Sequence, residues 1–223
     1  MWVASDGANS RAQGRTIDTA GTFGARRFLS TAGANACFPR VDVDESGNAY
    51  AIWTRDVGGN TRAQGRPVSS TGTLGAITTL SDAGQNAILP AVSIGSASGV
   101  AVWARSDGSD TRIQAVAVSP TGATGSVTTL SAARHGATSP QVAADSGGNS
   151  QVVWQRSDGS HLRIQERPYA PFAAPEPVQN LSRPGGDAAA PAIAFDPDGG
   201  PAIAVWTEPN GGGVQRVRGA TGP

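Results

Sequence analysis

Residues 140–165 read PQVAADSGGNSQVVWQRSDGSHLRIQ, and residues 90–114 repeat the pattern as PAVSIGSASGVAVWARSDGSDTRIQ. Each stretch opens on a proline and alternates apolar with polar or small residues as far as Asp145 or Gly95. A period of two is that of a half-buried strand. A Gly-bearing turn follows, with Asn149 in the first stretch, then an apolar run that ends on Trp103 or Trp154. Ser106-Asp107-Gly108 and Ser157-Asp158-Gly159 have hairpin-turn chemistry, because Asp caps its own turn and Gly accepts a positive φ. A third strand carries Arg112-Ile113-Gln114 or Arg163-Ile164-Gln165.

The same markers extend in both directions. Tryptophan stands at Trp2, Trp53, Trp103, Trp154 and Trp206, with gaps of 51, 50, 51 and 52 residues. A glutamine follows eleven residues later at Gln13, Gln64, Gln114 and Gln165, and nine later at Gln215. Arginine precedes it by two at Arg11, Arg62, Arg112 and Arg163. Leu-Ser pairs begin at Leu29, Leu80, Leu130 and Leu181, and a proline comes ten residues after each Leu, at Pro39, Pro90, Pro140 and Pro191. A last short strand, such as Ser126–Ser131, precedes each proline. No window shows sustained apolar spacing at helical period, so no helix is expected.

Four strands in a repeat of about 50 residues is the arithmetic of a β-propeller blade. The expected fold is all-β: one domain over 1–223, a propeller of about five blades of four antiparallel strands. The terminal blades are incomplete, because the phase enters at the Trp strand and leaves after the Gln215 strand. Strand edges left open in this way invite pairing, so a homo-oligomer through the unmatched terminal strands is expected.

The segment Pro140-Gln-Val-Ala-Ala-Asp145 through Gly148-Asn149 to Arg163-Ile164-Gln165 resembles the NHL-type propeller repeat over its first three strands. It departs from that pattern in the Trp and in the longer Ser-Asp-Gly hairpin. It is also similar to Trp-bearing propeller repeats of secreted bacterial proteins. The resemblance implies the fold far more than a function, and implies secretion or a place at the cell surface.

Composition narrows the function classes. The chain has 17 basic residues, all Arg, against 17 acidic ones, and its net charge is zero. No basic stripe suited to phosphates is present, so no nucleic-acid partner is expected. No apolar run approaches a membrane span, and Met1–Gly7 lacks the basic and apolar regions of a signal peptide. The single Cys37 can make no disulfide within the chain.

A catalytic site needs unlike groups occurring once each, whereas nearly every notable polar residue here recurs at one blade position. His135 and His161 fall in turn-like segments, and no Gly-x-Ser-x-Gly elbow exists. The Ser-x-Asp-x-Gly-x-x-Trp boxes of sialidases are absent, and Tyr50 and Tyr169 occupy unrelated positions. Asp42-x-Asp44-x-Ser46-Gly47 opens like a calcium loop but lacks the later carboxylate, so neither a metal nor a cofactor is expected.

The expectation is therefore a non-enzymatic scaffold for protein–protein or surface interaction. The alternative is a multivalent, lectin-like carbohydrate binder. It would stack sugars on Trp53, Trp103 and Trp154 and use Asp107, Asp158, Arg112 and Arg163 around the hairpins. A glycosidase-like enzyme stands third. The same Asp107–Arg112 and Asp158–Arg163 are candidate cross-hairpin ion pairs, and the repeated Arg and Gln are expected to link blade to blade.

Overall fold

The computed structural model describes residues 1–170, 176–196, 200–210 and 212–221. Within them lie 18 strands in five antiparallel sheets, and every described sheet is built from consecutive strands. The first sheet holds β1 (Trp2–Ser5), β2 (Ser10–Gly14) and β3 (Arg27–Phe28). The second holds β4 (Ala36–Val43), β5 (Ala49–Val57), β6 (Asn60–Val68) and β7 (Thr78–Thr79). The third holds β8 (Ala87–Ile94), β9 (Gly99–Ser106), β10 (Thr111–Val118) and β11 (Thr128–Thr129). The fourth holds β12 (Ala137–Ala144), β13 (Ser150–Ser157), β14 (Leu162–Tyr169) and β15 (Gln179–Asn180). The fifth holds β16 (Ala189–Ala194), β17 (Ile203–Pro209) and β18 (Gln215–Thr221).

The proline-bearing strands β4, β8, β12 and β16 pack on one another in that order and form the inner wall. Among the described residues the first sheet has no such strand, and the fifth has no short outer one. Among the described residues, no strand of the fifth sheet pairs with the first.

The repeated proline has a local structural cause. Each inner strand slips register at it, between Cys37 and Arg40, Ile88 and Ala91, Thr138 and Gln141, and Ala189 and Ala192. The residue before each proline is left-handed: φ is 51° at Phe38 and Leu89, 52° at Ser139 and 53° at Ala190. A bulge of this kind bends the strand, and proline suits it because the ladder bond it would break is already missing.

Packing between sheets follows one rule. From the second sheet onward, the Trp side of each sheet lies against the preceding sheet. Trp103 with Ala101 and Val116 packs on Tyr50 and Ile52, while Trp154 with Val152 and Tyr169 packs on Val102 and Ile113. Trp53 meets Ala12 and Leu29, and Trp206 meets Val153 and Ile164. The four cores are thus copies of one apolar interface, each burying an indole of 150–250 Å² or so.

Register corrects one sequence assignment. Trp103 faces Gln114 and Trp154 faces Gln165 across the ladder, but Trp206 faces Arg218, not Gln215. The last hairpin is one residue longer, so Gln215 opens β18 opposite Pro209, and Arg216 takes the place of the repeated Arg.

Candidate binding site

Trp53, Trp103 and Trp154 have no exposed surface, so none presents a ring face to solvent. Two of them are anchored by their polar edge: Trp103 Nε1 donates to Gln114 Oε1 at 3.1 Å, and Trp154 Nε1 to Gln165 Oε1 at 3.2 Å. In the fifth sheet Glu208 takes this role, accepting from Trp206 Nε1 at 3.0 Å and pairing with Arg218 at 3.1 Å.

Asp107 meets Arg112 and Asp158 meets Arg163, each at 3.4 Å across its hairpin. The first sheet adds Arg11 with Asp6 at 3.2 Å, from the Ser5-Asp6-Gly7 copy of the same turn. The backbone N–H groups of His161 and Ser160 hold the Asp158 carboxyl down at about 2, helped by Arg163 and opposed by partial desolvation.

These arginines do not link blades. Arg11, Arg62 and Arg112 donate through Nε to the carbonyls of Ser30, Ser81 and Ser131 at 3.0, 2.9 and 3.1 Å, just after the outer strand of their own sheet. The hydroxyl of each of these serines, and of Ser182, accepts the N–H of the residue after the Arg, at 2.9–3.1 Å. Two other arginines do link sheets: Arg66 and Arg167 reach the carbonyls of Leu29 and Leu130 at 3.1 and 2.9 Å. Arg15 stands at the same place in the first unit and Val116 in the third, so the repeat itself marks the position.

The end of the central channel gathers Asp42, Asp44, Glu45, Ser93 and Asp145 around a space of about 430 Å³. Asp44 and Asp145 are spent on their own turns, accepting from the Asn48 and Asn149 backbone at 2.8 and 2.9 Å and from those amide side chains. Asp42 Oδ2 accepts from Ser93 Oγ and from the Ile94 N–H, each at 2.9 Å, and Ser93 Oγ accepts the Ala144 N–H at 3.1 Å. This chain staples three inner strands together. The positions do not repeat chemically, so the repeat pattern gave no signal for it.

A second opening lies where the first sheet lacks an inner strand. Val41 and Val43 on β4 are 44% and 55% exposed, whereas Ile94 and Val142 at matching registers are 5% and 9% exposed. A cleft of about 590 Å³ results, floored by Met1, Val41, Val43, Ala49 and Ala51. Its charged lining residues are Arg15 and Arg27. Its walls are Gly14–Ile17 and Val68–Gly72. Beside it β1, which contacts β4, pairs with β2 alone among the described strands and leaves its other backbone edge open. Cys37, on β4, is exposed with a free thiol.

No family model and no curated protein matches the sequence. Solved structures do match the fold. Over 94% of this chain it is similar to Trypanosoma rangeli sialidase in complex with sialic acid, at 13% identity and a TM-score of 0.54, covering 38% of that chain. It is similar at a TM-score of 0.50 to KlAtg21 in complex with the coiled coil of AgAtg16, at 12% identity over 92% of this chain and 62% of the other. A subtype N10 neuraminidase-like protein of A/little yellow-shouldered bat/Guatemala/060/2010 matches at a TM-score of 0.50 and 6% identity, over 82% of this chain and 58% of that one. The chain thus spans less than two thirds of each of these proteins. Five small antiparallel sheets, four of them packed through their inner strands, with these likenesses make the fold a β-propeller.

Proposed function

We propose that the protein is a non-enzymatic propeller scaffold that binds protein partners, with the cleft between its first and second sheets as the docking place. The observation that carries this reading is the uncovered pair Val41 and Val43 beside the open edge of β1. An extended peptide can add to a free strand edge through main-chain hydrogen bonds while its alternate side chains fill apolar pockets. Arg15 and Arg27 in the lining favour a peptide with a carboxylate on its polar side. The channel carboxylates support a non-catalytic reading as well, since Asp42, Asp44 and Asp145 are committed to structural hydrogen bonds. The NHL-like pattern and its secreted or cell-surface setting belong to the same proposal.

The carbohydrate reading would need an accessible aromatic face, and the burial of Trp53, Trp103 and Trp154 weighs against it.

The test is a fluorescence anisotropy titration with a labelled peptide of the chain's own inner-strand pattern, residues 137–145. Saturable binding that is lost in Val43→Asp supports the reading. Equal anisotropy with and without protein overturns it. A saturable change in Trp emission with one sugar class, in place of peptide binding, moves the carbohydrate reading ahead.

A further inference from the structure

The two end sheets present opposite halves of the interface that builds the interior. On β17 and β18, Val205 and Val217 occupy the registers of Val153 and Ile164 in the fourth sheet. Val153 and Ile164 are fully buried beneath Trp206, while Val205 is 38% and Val217 is 74% exposed. Ile203, on the same side, is 51% exposed. At the other end Trp2 is 37% exposed, although Trp53, Trp103 and Trp154 at the same register are covered by a preceding sheet. One end is thus a socket without an indole, and the other an indole without a socket.

We infer that the occupant of each end is a second copy of this chain, docked head to tail, with the Trp2 side of one copy on the Ile203–Val205–Val217 side of the next. Four interfaces of this kind already exist within the chain, around Trp53, Trp103, Trp154 and Trp206, so the complementary surface is known residue by residue. A head-to-tail contact uses different surfaces on the two partners. It therefore closes into a ring when its rotation permits and otherwise grows as an open assembly. These faces are distinct from the Val41–Val43 cleft, so this inference and the peptide reading stand or fall separately.

The test is light scattering over a wide concentration range on the wild-type chain and on Trp2→Ala and Val217→Asp. Both positions are solvent-exposed, and circular dichroism verifies that each variant is folded. The expected wild-type result is a mass that rises with concentration in multiples of 22.4 kDa. Each variant alone stays at single-chain mass, because the one contact it can make needs its own damaged face. Mixed together, Trp2→Ala supplies an intact socket and Val217→Asp an intact Trp2, so the mixture forms dimers and nothing larger. A wild-type chain that stays single at every concentration overturns the inference, as does a mixture of folded variants that fails to pair.

Discussion

In the fourth sheet Trp154 donates its indole N–H to Gln165 Oε1 at 3.2 Å, directly across the ladder between β13 and β14. The third sheet repeats the bond between Trp103 and Gln114, but in the second sheet Trp53 Nε1 and Gln64 Oε1 are both buried without a partner. Three nearly identical sequence units therefore differ in one bond.

That difference sets the first prediction. Gln114→Ala strands a buried donor and costs about 1–3 kcal/mol, the usual penalty for an unsatisfied buried group. Gln64→Ala removes no bond to its indole and costs less, since only the bond to Thr79 is lost. Urea denaturation of the two variants side by side should rank them in that order.

The buried serines of the Leu-Ser pairs set the second. Ser131, 2% exposed, accepts the Ile113 N–H through its hydroxyl, and Ser131→Ala leaves that amide without its acceptor, at a cost of about 1–3 kcal/mol. Asp107→Asn, on the solvent side of the same unit, weakens an exposed ion pair with Arg112 and should change stability less. Thermal unfolding of both variants compares the two directly.

Tyr50 sets the third. Its hydroxyl is buried without a partner, and burial pushes its pKa up to about 12. Tyr50→Phe removes an unsatisfied polar group and should be neutral or stabilising, by up to about 1 kcal/mol. A methyl group on Gly65 would sit 2.5 Å from the Tyr50 ring, so Gly65→Ala overpacks the site and should cost about 1–3 kcal/mol. The double variant Tyr50→Phe/Gly65→Ala should keep that clash, because it involves ring carbon Cε1.

Acid sensitivity sets the fourth. Asp158 sits at about 2 in the folded chain against 3.8 ordinarily, chiefly through the His161 and Ser160 N–H groups, and Asp6 and Asp107 are lowered by matching turns. A depressed carboxyl pKa stabilises the fold above the unfolded value and loses that contribution as pH falls through the folded one. Stability should therefore decline between about pH 4 and pH 2, and Asp158→Asn should flatten part of that decline. A series of denaturation curves at stepped pH would reveal a decline of equal size in both proteins if the turn carboxyl played no part.

The sequence made the strand order and the incomplete ends legible, because Trp, Arg, Gln, Ser and Pro recur in one phase and each serves a repeated structural need. The strand bulge was hidden: Phe38, Leu89, Ser139 and Ala190 share a left-handed backbone but no side-chain chemistry, and only the following proline marks it. The fifth unit misled, since Gln215 is a glutamine near the right place while one extra hairpin residue puts Arg218 in register. The Asp42–Ser93 staple and the Val41–Val43 cleft arise between sheets. The staple pairs unlike residues at matching positions, and the cleft depends on a strand that is absent, so neither leaves a repeated signature.

The account rests on the interior indoles being sealed between sheets while Trp2 alone faces outward. Acrylamide quenching of tryptophan emission tests this most directly, comparing wild type with Trp2→Phe at high dilution, where chains are separate. The account predicts that nearly all the quenchable emission disappears with Trp2→Phe, leaving Trp53, Trp103, Trp154 and Trp206 shielded. Strong quenching that persists in Trp2→Phe would contradict it, showing that the interior rings are reachable from solvent and that the repeated interface is not closed.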